Sequence, residues 1–219
     1  MSIKMEWVPF EEEAPDASFE AGGKTIELDF RQPDLHKELH KIVGEEMQRA
    51  FEYFFGIMGS SFPITPRWTI RITEGKQFGA LGCVLNFPKY WIEQVKDTSV
   101  EKSTQDLVRS LLVHELMHNL SDDEEFSMFA EMIYEAEHGQ FDRLDEIQLF
   151  YDLRDDPDAE LKLGESYVRG IDQIALWMEC KPNEVFSRLK EGDTAKWKAV
   201  LKTQLEKFCR DEGIIKQAA

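Results

Sequence analysis

The stretch LLVHELMHNL (residues 111–120) decides the reading of this chain. Its apolar residues leave almost no polar face, so a helix here is a buried one. Two histidines, His114 and His118, stand four apart in it, and Glu115 directly follows the first. Residues four apart in a helix lie one above the other on one face. Two imidazoles can therefore be offered to one ion. Glu115 sits about 100° round from His114, near enough to hold a water against that ion. Two imidazoles and a carboxylate in a buried helix are costly without a partner.

The chemistry follows from the spacing. Zinc takes three protein ligands in a catalytic site and keeps one position for water, whose pKa falls to about 7. Glu115 is then the expected general base, taking the water's proton and passing it to the leaving group. The chain carries its own contrast in HKELH, residues 36–40. His36 and His40 are also four apart, but the glutamate stands two places on, about 200° round the helix. That pattern suits a solvated helix face rather than hydrolysis.

Outward from the motif, the chain divides into a mixed front and a helical back. Residues 1–23 are acidic, proline-bearing and end in Gly-Gly, and read as an N-terminal arm. KTIELDF (Lys24–Phe30) alternates apolar and polar residues and reads as a strand. Pro33 and Asp34 open a long helix to Met58, with Leu39, Val43, Met47, Phe51 and Phe54 in its apolar stripe. Residues 67–75 form a second strand. Residues 79–88, bounded by Gly79 and Pro88, form a third, with the glycines and proline of an edge strand. The motif helix covers residues 103–119. SDDE (residues 121–124) reads as a capping box that starts a helix at Asp122 and runs it to His138. Further helices are expected over residues 141–152, 158–179, 183–190 and 194–210. The fold class is α+β: a small mixed sheet with a backing helix and an active-site helix, then an all-helical C-terminal half. Residues 24–120 make the upper part and 121–219 the lower part of one unit.

At HELMH, and in the order of elements around it, the chain resembles the zincin clan of zinc metallopeptidases. Zincins carry a strand, a backing helix, further strands, an edge strand and then the HExxH helix, followed in many by a mostly helical lower part. The resemblance implies an α+β zincin-like fold, a Zn2+ cofactor held by His114 and His118, and Glu115 as catalytic base. It also implies a peptide or protein substrate lying extended along the edge strand, residues 79–87. An edge offers unpaired N–H and C=O groups to such a partner.

The third ligand is open on the sequence. Laid on the HExxHxxGxxH or HExxHxxGxxD pattern, Ser121 stands at the glycine and Glu124 at the final ligand. The chain must turn back sharply near residues 119–121, so acids just after the turn face the histidines. Glu124 is the expected ligand, with Glu125 and Asp123 as alternatives. Glu131 comes last, since ten or so residues of helix rise about 15 Å and would overshoot. Helix capping and dipole complementation account for part of this acidic run. Tyr134, His138, Tyr151, Tyr167 and Arg169 are the groups in the helical half able to polarise a carbonyl, none of them singled out by sequence.

Composition bounds the rest. The net charge of -17, from 43 acids against 26 bases, disfavours nucleic acid and anionic membrane surfaces as partners. Three scattered cysteines with no CxxC pair suit a reducing compartment. The opening MSIKMEWVPFEEEAPDAS has no continuous apolar segment and is acidic where a leader is basic, so a cytoplasmic location is expected. The leading expectation is an intracellular zinc metallopeptidase. The alternative is a zincin-like metal-binding or protein-interaction module that processes nothing.

Overall fold

The computed structural model describes residues 14–31, 36–60, 62–75, 78–81, 83–96, 102–156 and 164–215. Five strands form one mixed sheet: β1 (Ala17–Ala21), β2 (Lys24–Phe30), β3 (Arg67–Thr73), β4 (Gly79–Leu81) and β5 (Val84–Pro88). The order across it is β1-β2-β3-β5-β4. β2, β3 and β5 run parallel, in register Phe30 to Ile70 and Ile70 to Leu85. β1 and β4 close the two sides as antiparallel edges. The α+β class with a small mixed sheet and a helical back half is what the element pattern led one to expect.

Alternation explains the sheet's two faces. Ile26, Leu28, Trp68, Ile70, Leu85 and Phe87 are buried. Between them, Glu27, Asp29, Thr69, Arg71 and Asn86 stay half-exposed. Helix α1 (Lys37–Met58) covers the apolar face and links β2 to β3. Phe51 is its anchor, edge-on to Trp68 at 5.7 Å and tilted against Phe19 at 5.7 Å. Asp34 and the start expected for this helix lie outside the described residues.

Two strand expectations need correcting. Residues 17–21, read as part of an arm, pair with β2 as β1. The reversal uses Gly22 and Gly23, both at positive φ (57° and 74°). A side chain at Gly22 would also collide with the Phe55 ring, at 2.4 Å from its Cβ. Such a two-residue glycine turn matches the twist of a hairpin. The expected single strand 79–88 is instead β4 and β5 folded on each other, Leu81 opposite Val84. Only β4 is an edge. β5 lies between β3 and β4, so its backbone is paired on both sides. Period-two patterning is the same on both arms of a hairpin, so the alternation hid the turn.

Helix α2 (Lys89–Lys96), not anticipated, buries Ile92 directly after Pro88. α3 (Lys102–Met117) carries the motif, and α4 (Glu124–His138) packs on it. α4 is the central helix of the molecule: every residue from Phe126 to Glu135 is buried. It starts at Glu124 rather than Asp122. Asp123 is its N-cap without a side-chain cap bond, and Ser121 Oγ instead accepts from Asp123 N–H at 3.0 Å. α5 (Phe141–Asp152), α6 (Glu165–Trp177), α7 (Val185–Glu191) and α8 (Thr194–Asp211) follow. α6 and α8 cover α4 from the outside. Residues 158–163, expected to begin α6, lie outside the described residues. Among the described residues no helix is long and apolar enough to cross a membrane.

Candidate metal centre

α3 ends at Met117, and the chain tightens through a turn before α4. Leu120 N–H bonds Met117 O at 2.9 Å and Ser121 N–H bonds the same oxygen at 3.2 Å. Asn119 pins this turn to the front of the molecule, its Oδ1 accepting from Thr65 N–H at 3.1 Å. Although His118 lies just past the helix end, its ring still stands one turn from His114. The Nε2 atoms of the two rings are 3.1 Å apart. The turn delivers the first residue of α4 to the same point. Glu124 Oε2 lies 3.5 Å from His114 Nε2 and 3.8 Å from His118 Nε2.

His114, His118 and Glu124 therefore converge, as the spacing led one to expect. The other two acids weighed for this place, Asp123 and Glu125, do not join them among the described residues. Position in the helix decides between these neighbours. Glu124 opens α4, where the positive helix end favours a carboxylate, and projects back toward α3.

The hydrogen-bond pattern gives the cluster its chemical character. His114 Nδ1 is 2.8 Å from Glu131 Oε2, and His118 Nδ1 is 3.2 Å from the Ser121 carbonyl oxygen. Both partners accept, so each neutral ring carries its proton on Nδ1 and donates there. Each Nε2 lone pair is then turned inward, toward the other and toward Glu124. Glu124 Oε2 is buried and has no hydrogen-bond partner. Three lone pairs facing one point repel unless a proton or a metal cation lies among them. A tetrahedral zinc with bonds of about 2.0–2.1 Å sets its ligand atoms about 3.3 Å apart. The observed separations of 3.1, 3.5 and 3.8 Å bracket that value. Two imidazoles and one carboxylate are a donor set for zinc or a similar transition ion rather than calcium.

Glu131, placed last as a ligand, does not join the three converging groups, but the reason expected for that fails. It does not overshoot the motif; it reaches His114 from the far side and orients it. It stands seven residues after Glu124, two helical turns along the same face of α4. A buried acid at that spacing, inside the apolar run SMFAEMIY, was the signal available. Burial pushes the Glu131 carboxyl toward its neutral form, but the bond to His114 and the charge there outweigh this and hold it below its ordinary range. Burial likewise works against a charged His114, yet the bond to Glu131 leaves its pKa raised. Behind this pair lies Glu135, its Oε1 3.2 Å from Ser110 Oγ. Burial, then the charge of Glu131, push Glu135 up to about 8.

Glu115 is half-buried next to His114, and its charge bears on both His114 and Tyr167. The Tyr167 ring lies nearly parallel to that of His114, with centroids 6.4 Å apart. Burial, then the charges of Glu124, Glu131 and Glu115, keep its phenol protonated. Of the other candidates for polarising a carbonyl, Tyr134, His138 and Tyr151 are engaged away from the cluster. Tyr134 stacks on His138 at 4.0 Å, and Tyr151 donates to Asp172 at 2.5 Å. Arg169 lines a cleft of about 380 Å³ together with Glu124, Asp122 and Ser166.

No family model, curated protein or solved structure matches this chain.

Proposed function

We propose that the protein is a zincin-like zinc metallopeptidase, with Zn2+ held by His114, His118 and Glu124. One observation carries the reading: the two Nε2 atoms and an unpartnered buried carboxylate oxygen meet at one point, and the charge of Glu115 bears on His114 there. A bound zinc ion supplies a water of pKa about 7 and a Lewis acid for a substrate carbonyl. Glu115 takes the proton of the attacking water as the C–O bond forms at the carbonyl carbon, then delivers it to the amine nitrogen as the peptide C–N bond breaks. Glu131 fixes the ring of His114 and the Ser121 carbonyl fixes that of His118. Tyr167, held as a phenol, donates to the oxygen on which charge develops. The short edge β4 runs beside α3 and is the backbone along which an extended peptide substrate lies.

The experiment pairs metal analysis with cleavage of a peptide library. Wild-type protein should hold one zinc per chain and cut peptides. The Glu115→Gln variant should keep the zinc and lose cleavage by at least a hundredfold. A chain that holds no metal after zinc loading would end the reading. One that holds zinc but cuts nothing would be a metal-binding or interaction module on the same scaffold.

A further inference from the structure

A second cleft, of about 410 Å³, opens at the carboxyl ends of β2 and β3. Its walls include Phe30, Arg31, His36, His40, Arg71 and Thr73, and it shares no residue with the metal centre. Its basic lining stands out in a chain of net charge -17.

The two arginines are neighbours by sheet register. Phe30 pairs with Ile70, and one residue on, Arg31 N–H bonds Ile70 O at 3.0 Å. Arg31 thus comes beside Arg71 on the adjoining strand. Like charges side by side on neighbouring strands repel. The contrast within the same sheet is direct. Arg67 of β3 makes two bonds to Asp29 of β2, at 2.6 and 3.0 Å. Neither Arg31 nor Arg71 is ion-paired among the described residues, and Arg71 Nε is buried with no hydrogen-bond partner. A forked guanidinium with a buried, unmatched N–H suits a planar or tetrahedral oxyanion.

The surroundings agree. Ligands of parallel sheets bind outside the carboxyl ends of the strands, beside the start of the following helix. Here that helix is α1, whose N-cap His36 makes no side-chain cap bond and lines the cleft. His36 holds φ 57°, a strained setting for a residue with a side chain. Its Nε2 is 3.2 Å from Glu74, an exposed acid that also pairs with Lys89. His40 stacks flat on Phe30, centroids 3.7 Å apart, and makes an aromatic wall. With two guanidinium groups in the lining, the cleft disfavours a cation despite its two histidines.

We infer that this cleft binds a phosphate-class oxyanion, the free ion or the head of a phosphorylated small molecule, between Arg31 and Arg71. The test is calorimetric titration of the full chain at constant ionic strength with inorganic phosphate, phenyl phosphate and phenol. EDTA is present throughout, so that phosphate cannot be held by metal at His114 and His118. Saturable 1:1 binding of the two phosphates, and none of phenol, is expected. Tighter binding of phenyl phosphate assigns the monoester, and equal binding assigns the free ion. Arg71→Gln should weaken binding at least tenfold. Arg31→Gln, at an exposed residue where folding is not at stake, should do the same. Arg188→Gln, remote in α7, should leave it unchanged. Absence of saturable binding, or wild-type affinity in the Arg31→Gln and Arg71→Gln variants, would overturn the inference.

Discussion

His114 is gripped at one ring nitrogen by Glu131 and faces Glu124 with the other. The two acids therefore have different tasks, and substitution should separate them. Glu124→Gln removes a charged donor, whereas Glu131→Gln leaves the three donors intact and loosens only the ring. Zinc affinity measured by competition with a chelating dye should fall about 10–100-fold in Glu131→Gln. Equal affinity in wild type and Glu131→Gln would rule out the orienting role. Glu135 offers a second residue-level test. Its folded pKa is raised to about 8 from 4.5, so the folded state holds a proton that the unfolded state releases. Its cost is absent below the unfolded pKa and complete above the folded one. Stability of the metal-free protein should thus fall as pH rises from about 4.5 to 8, and Glu135→Gln should flatten that fall. Chemical denaturation across the pH series measures it. HELMH was readable as two imidazoles offered to one point with a carboxylate alongside, because that arrangement follows from local chain geometry alone. Glu131 was not, because an acid's role depends on which ring it meets, and that ring is on another helix.

Between elements, the site depends on how α4 is held against α3 and α6. Gly170 of α6 lies where that helix crosses the start of α4. A Cβ there would meet Met128 Sδ at 2.9 Å and the Glu125 Cα at 3.5 Å. Alanine asks only the flexible methionine to move. Gly170→Val presses on the Glu125 backbone, next to the ligand Glu124, and should destabilise the fold by about 1–3 kcal/mol. Its zinc affinity should drop more than that of Gly170→Ala. An unchanged melting temperature and affinity in the valine variant would show that α6 has slack here. Most helices were readable from apolar periodicity and from breaks such as Gly139. The β4–β5 reversal and α2 escaped, being short elements of three, five and eight residues. Too few repeats fit in such lengths for either period to stand out.

At the scale of the molecule, a metal held by His114, His118 and Glu124 would tie the turn after α3 to the central helix α4. An ion bound only by the folded chain adds RT ln(1 + [L]/Kd) to stability, about 2.7 kcal/mol at a hundredfold excess over Kd. Removing zinc with EDTA should therefore lower the melting temperature, and adding zinc back should restore it in a concentration-dependent way. His118→Ala should show neither response. A melting temperature indifferent to EDTA and zinc in wild type would count against a metal at this point.

Read alone, the sequence determined the α+β division, the main helices, and the pairing of His114 with His118 beside Glu115. Each is a property of one continuous segment, set by the 3.6- and 2-residue periods of the backbone. Only the tertiary structure decided that Glu124 rather than Asp123 or Glu125 completes the cluster, that Glu131 backs His114, and that Arg31 meets Arg71 across two parallel strands. Those relations join residues on separate elements. The tight turn at residues 118–123 and the packing of whole helices and strands set them, and neither is written in any local period.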